Sequence, residues 1–266
     1  FGNSTIDGDL IATSSNATGI TDSGAMTVRG TASFQTTATN ADISLGTSTL
    51  GDGTGTDTIT LNTTGSTGHA TLDNGTTVVA LGTSAASLVT NVGGNLTLTS
   101  GAAAGITDSA TVTVGGNLIA TTDANSGAID LGTLAVDGTI ALTTHNNGAA
   151  TVVNDAGLNF AASTVGGALS ATATTGNITD SGALAITGTS TFTVANGQSV
   201  ILDESSTFAT VTFASAGTIA SIEVNDSNAL DLGTLTTTGN LTVTAGGNIT
   251  DSGTVTVGGN LIATTD

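Results

Sequence analysis

The sequence predicts an all-β chain folded as a parallel β-solenoid, on three observations. Apolar residues alternate with Thr or Ser in short bursts, each burst ends at a Gly, Asn or Asp turn, and equivalent bursts return at near-constant spacing. The alternation is seen in Leu241-Thr242-Val243-Thr244-Ala245 and Thr254-Val255-Thr256-Val257. A period of two turns every other side chain to the same face, and Thr and Val favour strands. The turns are of the type Gly246-Gly247-Asn248 and Asp251-Ser252-Gly253, where Gly and Asn supply positive φ and Asp an Asx-turn.

The spacing turns strands into coils. A Gly-rich turn leads into an apolar residue at Leu96, Leu118 and Ile140, in two equal steps, and again at Leu241 and Leu261. A longer rhythm overlies this one. Ile-Thr-Asp-Ser begins at Ile20, Ile106, Ile178 and Ile249, with the last two intervals nearly equal and the first somewhat longer. The segments 106–123 and 249–266 differ only at Ala110 against Gly253. Asp-Leu-Gly-Thr-Leu occurs at Asp130 and Asp231, with the related Leu45-Gly46-Thr47 and Leu81-Gly82-Thr83 elsewhere. Each long unit is therefore expected to hold about three coils, and residues 1–266 to form a single continuous solenoid of about twelve coils of roughly 20–24 residues. At ~4.8 Å per strand that is a rod on the order of 55 Å.

Inward Val, Ile, Leu and Ala would stack into a narrow core, with Thr and Ser outside. The absence of Pro suits coils that must donate hydrogen bonds to their neighbours. A β-sandwich would leave the long repeat unexplained. The repeat is broken between Gln198 and Glu223, which holds Asp203 and both glutamates, Glu204 and Glu223, with Phe208 and Phe213.

Composition removes several functions. One basic side chain of the Lys/Arg type, Arg29, stands against 20 acidic ones, a formal charge of -19. Nucleic acid and anionic lipid both require clustered cations, so neither is an expected partner. There is no Cys, hence no disulfide and no thiolate metal site. Gly, Thr, Ser, Asn or Asp interrupts every apolar run before about 18 residues, so no membrane insertion is expected. Neither end carries a polar cap of the kind solenoids use, and Phe1 is not an initiator Met. The chain reads as a window of a longer repetitive protein, or as a subunit that self-associates head to tail.

Gly239-Asn240-Leu241-Thr242-Val243-Thr244-Ala245-Gly246-Gly247-Asn248-Ile249, followed by a Val-Thr-Val strand, resembles the repeat region of filamentous haemagglutinin-like exoproteins. These are bacterial surface adhesins of the two-partner-secretion type. The resemblance covers nearly the whole chain in style and lies in repeat composition. It implies a right-handed parallel β-helix, an extracellular location on the bacterial surface, and roles in attachment to a cell-surface or glycan receptor, cell–cell aggregation or biofilm matrix. The secretion domain and signal peptide of full-length members are not in this sequence.

No catalytic or cofactor-binding residue is assigned and the chain is not expected to be an enzyme. Asp22, Asp108, Asp180 and Asp251 belong to the repeated turn phrases and are expected to serve turns. Asp203-Glu204 is the one paired-carboxylate candidate for a polysaccharide-active β-helix enzyme, with a solvated loop as the plainer reading. His69 and His145 lie in turn segments. Asp52 and Asp57, flanking Gly53-Thr54-Gly55-Thr56, are weak calcium candidates, since hard cations take oxygen ligands. Thr-x-Thr phrases such as Thr97-Leu98-Thr99 and Thr242-Val243-Thr244 raise an ice-binding solenoid as the alternative function. The sequons at Asn95, Asn177, Asn240 and Asn248 follow from composition.

Overall fold

A computed structural model describes residues 1–51, 56–83 and 88–265, and among these every regular element is a strand. The strands stack as a parallel β-solenoid of about twelve coils, gathered into two compact units, Phe1–Thr139 and Ile140–Asp266.

In the first unit one sheet is the column Ile20–Thr21, Ile43–Thr47, Ala70–Asp73, Leu96–Ser100 and Leu118–Asn125. Its register stacks Ile20, Ile43, Ala70, Leu96 and Leu118, so the step from Leu96 to Leu118 is one coil. Facing it are Leu10–Ser14, Ala32–Thr39 and Ile59–Thr64, followed by the short strands Val79–Leu81, Asn91–Val92, Ile106–Asp108 and Val112–Val114, then Ile129–Val136. A third, small sheet joins Ser4–Ile6, Met26–Val28 and Thr49–Leu50.

In the second unit Ala150–Asn154, Leu169–Ala173, Thr189–Val194 and Thr210–Ser215 form one column, which Leu230–Leu232 and Ile249–Asp251 continue. Opposite stand Leu158–Phe160, Ile178–Asp180, Gln198–Ser206, Ile219–Asp226, Leu241–Ala245 and Leu261–Thr265. Leu241 pairs with Leu261, again as the sequence spacing predicts.

Alternation fills the core. Leu96, Leu98, Leu118 and Ala120 are fully buried while Thr97 and Thr99 between them are not. The second unit adds an aromatic cluster in which Phe192 meets Phe160, Phe208 and Phe213 at 6.1–6.4 Å between ring centres.

Three sequence expectations change. The long unit is three and a half coils, not three. From Ile20 the register climbs through Ile43 and Ala70 to Leu96, and Ile106–Asp108 then lies on the facing sheet. From Ile178 it climbs through Val200 and Ile222 to Leu241, and Ile249–Asp251 again lies on the facing sheet. The same phrase thus serves both sheets in turn. Second, most glycines are not there for positive φ, which among the described glycines is found at Gly19, Gly51, Gly65, Gly75, Gly105 and Gly197; Asn40, Asn146 and Ser126 adopt it as well. Gly115 shows the commoner reason: a Cβ on it would stand 2.6 Å from the Gly93 carbonyl oxygen of the coil before. Third, Val255 points inward yet is half-exposed, because among the described residues its strand pairs with Leu235–Thr237 on one side and with no strand on the other. Its counterpart Val112 is 1 % exposed and is the true core position.

Candidate functional site

At the corners the chain leaves a sheet and its N–H groups lose their strand partners, so side chains must accept them. Asn95 Oδ1 accepts the Asn117 N–H at 2.9 Å and Asn117 Oδ1 accepts the Thr139 N–H at 2.9 Å. Below them Asp42 Oδ1 accepts the His69 N–H and His69 Nδ1 accepts the Asn95 N–H, both at 2.8 Å. The second unit repeats the device from Asn177 to Ser199, Asn196 to Thr218 and Asn240 to Asn260. His69 is therefore a rung in a ladder of acceptors, with its ring proton on Nε2. Nothing in its local sequence separates that role from a plain turn residue. His145 is exposed in a turn that Gly148 closes by donating to its carbonyl. Of the sequon asparagines, Asn95, Asn177 and Asn240 are rungs, and Asn248 accepts from Leu230 through its main chain.

The repeated aspartates correct the expectation of local Asx-turns. In Ile-Thr-Asp, alternation from the buried Ile brings the carboxylate to the inner side of a corner, where it reaches the next coil. Asp22 Oδ1 accepts the Gly46 N–H at 2.8 Å. Asp108 accepts the Gly132 and Thr133 N–H groups and the Thr133 hydroxyl at 2.8–2.9 Å. The Leu-Gly-Thr phrase is thus the receptor of the Ile-Thr-Asp phrase one coil earlier. Asp251 lies on the exposed outer coil. Asp231, from the Asp-Leu-Gly-Thr-Leu phrase, accepts from the hydroxyls of Ser252, Thr210 and Thr250, at 2.6–3.2 Å. Those bonds, Ser252 first, hold its carboxyl below the usual range.

At Asp180 the receptor changes. Over it lies Leu202-Asp203-Glu204 in place of Leu-Gly-Thr, inside the predicted break. Asp180 Oδ1 accepts the Asp203 N–H at 3.0 Å and, at 3.4 Å, that of Glu204. With no threonine hydroxyl to take it, Asp180 Oδ2 is buried without a partner. Asp180 is 8 % exposed, and burial, together with the charge of Asp203 and against the two N–H bonds, raises its carboxyl to about 6. The strand pairing slips here between Leu202 and Ser206, a bulge. A second buried carboxylate grips the far side of it: Asp226 Oδ2 accepts the Phe208 N–H at 3.0 Å and Oδ1 the Asn228 N–H at 2.8 Å. Burial raises Asp226 as well. Glu204 and Glu223 are both exposed, and Glu223 stands opposite Ile201, so the two glutamates are not paired across the coils.

Asp52 lies outside the described residues. Asp57 is half-buried next to Gly51, ahead of the strand Ile59–Thr64. Among the described residues no three His, Cys, Asp or Glu side chains gather as a metal site would require. Arg29 pairs with Asp7 at 2.7 Å on the surface, an exposed pair worth at most about 1 kcal/mol.

One outward face of the second unit is ordered in two dimensions. Thr151, Ser170, Thr191 and Thr212 stand in one rank across four coils, with Val153, Thr172, Thr193 and Ala214 in the next.

With this architecture in view, comparison with known families finds two matches. Residues 147–215 and 216–265 match the family model described as Repeats of unknown function (DUF5649). The chain is a repeat protein of stacked β-strands. Both matches fall within the second unit, and the boundary at 215 coincides with the end of the strand Thr210–Ser215. Neither the curated proteins nor the solved structures contain a match to the chain.

Proposed function

We propose that the chain is a structural and adhesive segment of an extracellular bacterial surface protein, of the filamentous haemagglutinin-like kind that its repeats resemble. The observation that carries this reading is the ladder of side-chain acceptors. Asn, Asp and His rungs join successive coils outside the sheets, so each coil is tied to the next by more than strand pairing. Such a stack resists bending and keeps a hydrated exterior of Thr, Ser, Asn and Asp, which suits a stalk that holds partners at a distance from a cell. Its partners are further coils, in the same chain or in a second copy, and a surface or glycan receptor.

Negative-stain micrographs of the purified chain at rising concentration, paired with an aggregation assay on particles coated with it, test the reading. End-to-end filaments and clumping of coated particles are expected. Isolated particles at every concentration, together with no clumping, would overturn it.

A second reading rests on the Thr ranks of the second unit. Four registered coils with hydroxyl and methyl groups at strand spacing make an ordered surface on which water could be held as in ice. Val153 and Ala214 interrupt one rank. Thermal hysteresis in the wild type that is lost in Thr191→Lys supports this reading, and no hysteresis in the wild type removes it.

A further inference from the structure

The departure over Asp180 is local and chemical. At Asp22 and Asp108 the Ile-Thr-Asp carboxylate meets Leu-Gly-Thr, whose glycine is neutral; over Asp108 the threonine also supplies a hydroxyl, leaving both carboxylate oxygens satisfied. Here Asp203 replaces the glycine and Glu204 the threonine, so the charge of Asp203 acts on the buried carboxyl while the hydroxyl is lost. The result is a carboxyl group more than nine-tenths buried, with one oxygen unpartnered, facing a like charge.

No basic side chain relieves this. The second unit contains neither Lys nor Arg. The strand Leu158–Phe160 on the near side carries no titratable group, nor do Ser163–Val165, Leu184–Ile186, Leu169–Ala173 and Thr189–Val194 around it. Gln198–Ser206 brings Asp203 and Glu204, and Ile219–Asp226 brings Glu223, directed outward, and Asp226, which grips the same bulge at Phe208. Every charge facing Asp180 is negative, so only a proton or an external cation can neutralise it, and no third ligand for a metal gathers among the described residues.

We propose that Asp180 and Asp203 form a shared-proton carboxyl pair that locks the 203–208 bulge in acid and loosens it near neutral pH. In the locked form the proton sits on Asp180 Oδ2 and is donated to the Asp203 carboxylate, giving that oxygen the partner that a threonine hydroxyl gives Asp108 Oδ2. Loss of that proton leaves two carboxylates in contact, and repulsion between like charges in a poorly solvated corner pushes the bulge outward. The surface that changes is the one carrying Asp203, Glu204 and Ser205, all exposed. The switch adds an acid-sensitive patch to the chain and does not depend on the adhesive reading.

The test is a carbon-13 NMR titration of the aspartate carboxyls in the full chain without divalent ions, with amide exchange at residues 203–208 corrected for the intrinsic effect of pH. The Asp180 carboxyl is expected to titrate about two pH units above an ordinary aspartate, and bulge protection to fall at least tenfold from pH 4.5 to 7.5. Asp180→Asn, which can donate to Asp203 at any pH, should keep the protected bulge throughout. The double variant Asp203→Gly, Glu204→Thr restores Leu-Gly-Thr and should bring the Asp180 midpoint down and flatten the response, with dispersed amide spectra showing that it folds. An ordinary midpoint for Asp180, pH-independent protection in the wild type, or an undiminished response in the double variant would each overturn the proposal. So would tightening of the wild-type bulge by millimolar calcium at neutral pH, since a cation would then be the group that fills the pair.

Discussion

Truncating Phe192 to alanine tests the core of the second unit. Its ring is fully buried and meets three other rings, stacked on Phe213 and edge-on to Phe160 and Phe208. Phe→Ala in a packed core costs about 3–5 kcal/mol, and loss of three ring contacts, each worth ~0.5–1.5 kcal/mol, puts this site towards the upper end. The narrow cross-section works in the same direction. Coils held by strand pairing on both sides cannot collapse into the hole, so the cavity persists. Urea unfolding of the full chain, followed by far-ultraviolet circular dichroism, should show Phe192→Ala lowering the stability of the transition that reports this unit by about 4–5 kcal/mol. Thr193→Ala, one residue on and outward-facing between Thr172 and Ala214, should change it by less than about 1 kcal/mol, as surface substitutions do. Equal effects of the two variants would refute the assigned faces. A Phe192→Ala loss below about 1 kcal/mol would refute the close-packed core.

Three further outcomes follow from the same structure. Val112→Asp buries an unpaired charge and should cost at least about 3 kcal/mol, whereas Val255→Asp, half-exposed in this chain, should cost clearly less; urea midpoints compare them. Asp108→Ala strands three donors of the following coil and should cost ~1–3 kcal/mol, with Asp108→Asn retaining part of it, measured in the same way. In pH-dependent unfolding, the folded chain holds the Asp180 proton more tightly than the unfolded chain, with 3.8 raised to about 6. Its contribution is therefore complete below pH ~4 and lost as pH rises through 6, up to about 3 kcal/mol at 1.36 kcal/mol per pH unit; Asp226 shifts in the same direction, and Asp180→Asn should flatten the slope.

Alternation and turn residues made the strands, the parallel stacking and the inward residues legible, because a period of two and a regular coil step are both local patterns. Leu96 over Leu118 and Leu241 over Leu261 stand where the spacing puts them. The half-coil in the long repeat was not legible. Spacing counts positions along the chain, whereas coil length varies, from the short step Ile222 to Leu241 to the long step Ile43 to Ala70. The interval between repeated phrases therefore cannot be divided into coils without the register. The aspartates were found but given the wrong partners. An Asx-turn and a reach into the next coil demand the same residue in the same turn, and only the stacking separates them. His69 and Asp180 show the same limit more sharply. One replaces an asparagine rung, the other meets Asp-Glu where Gly-Thr is usual, and both facts depend on which residue lies one coil away. The break between Gln198 and Glu223 was visible as a loss of pattern, and the bulge explains it.

The coil register is the claim on which the ladder, the faces and the acid pair all depend, and cysteine pairing reads it directly because the chain has no Cys of its own. Thr97→Cys with Ile119→Cys joins two outward positions paired across adjacent strands, about 4.8 Å apart, within the Cα range that a disulfide spans. Thr97→Cys with Thr121→Cys sets the second thiol two positions out of register. Under mild oxidation the first pair should close within the chain, seen as faster migration on non-reducing electrophoresis, and the second should stay open. Closure of the second pair in preference to the first would contradict the stacking of Leu96 on Leu118 as one coil.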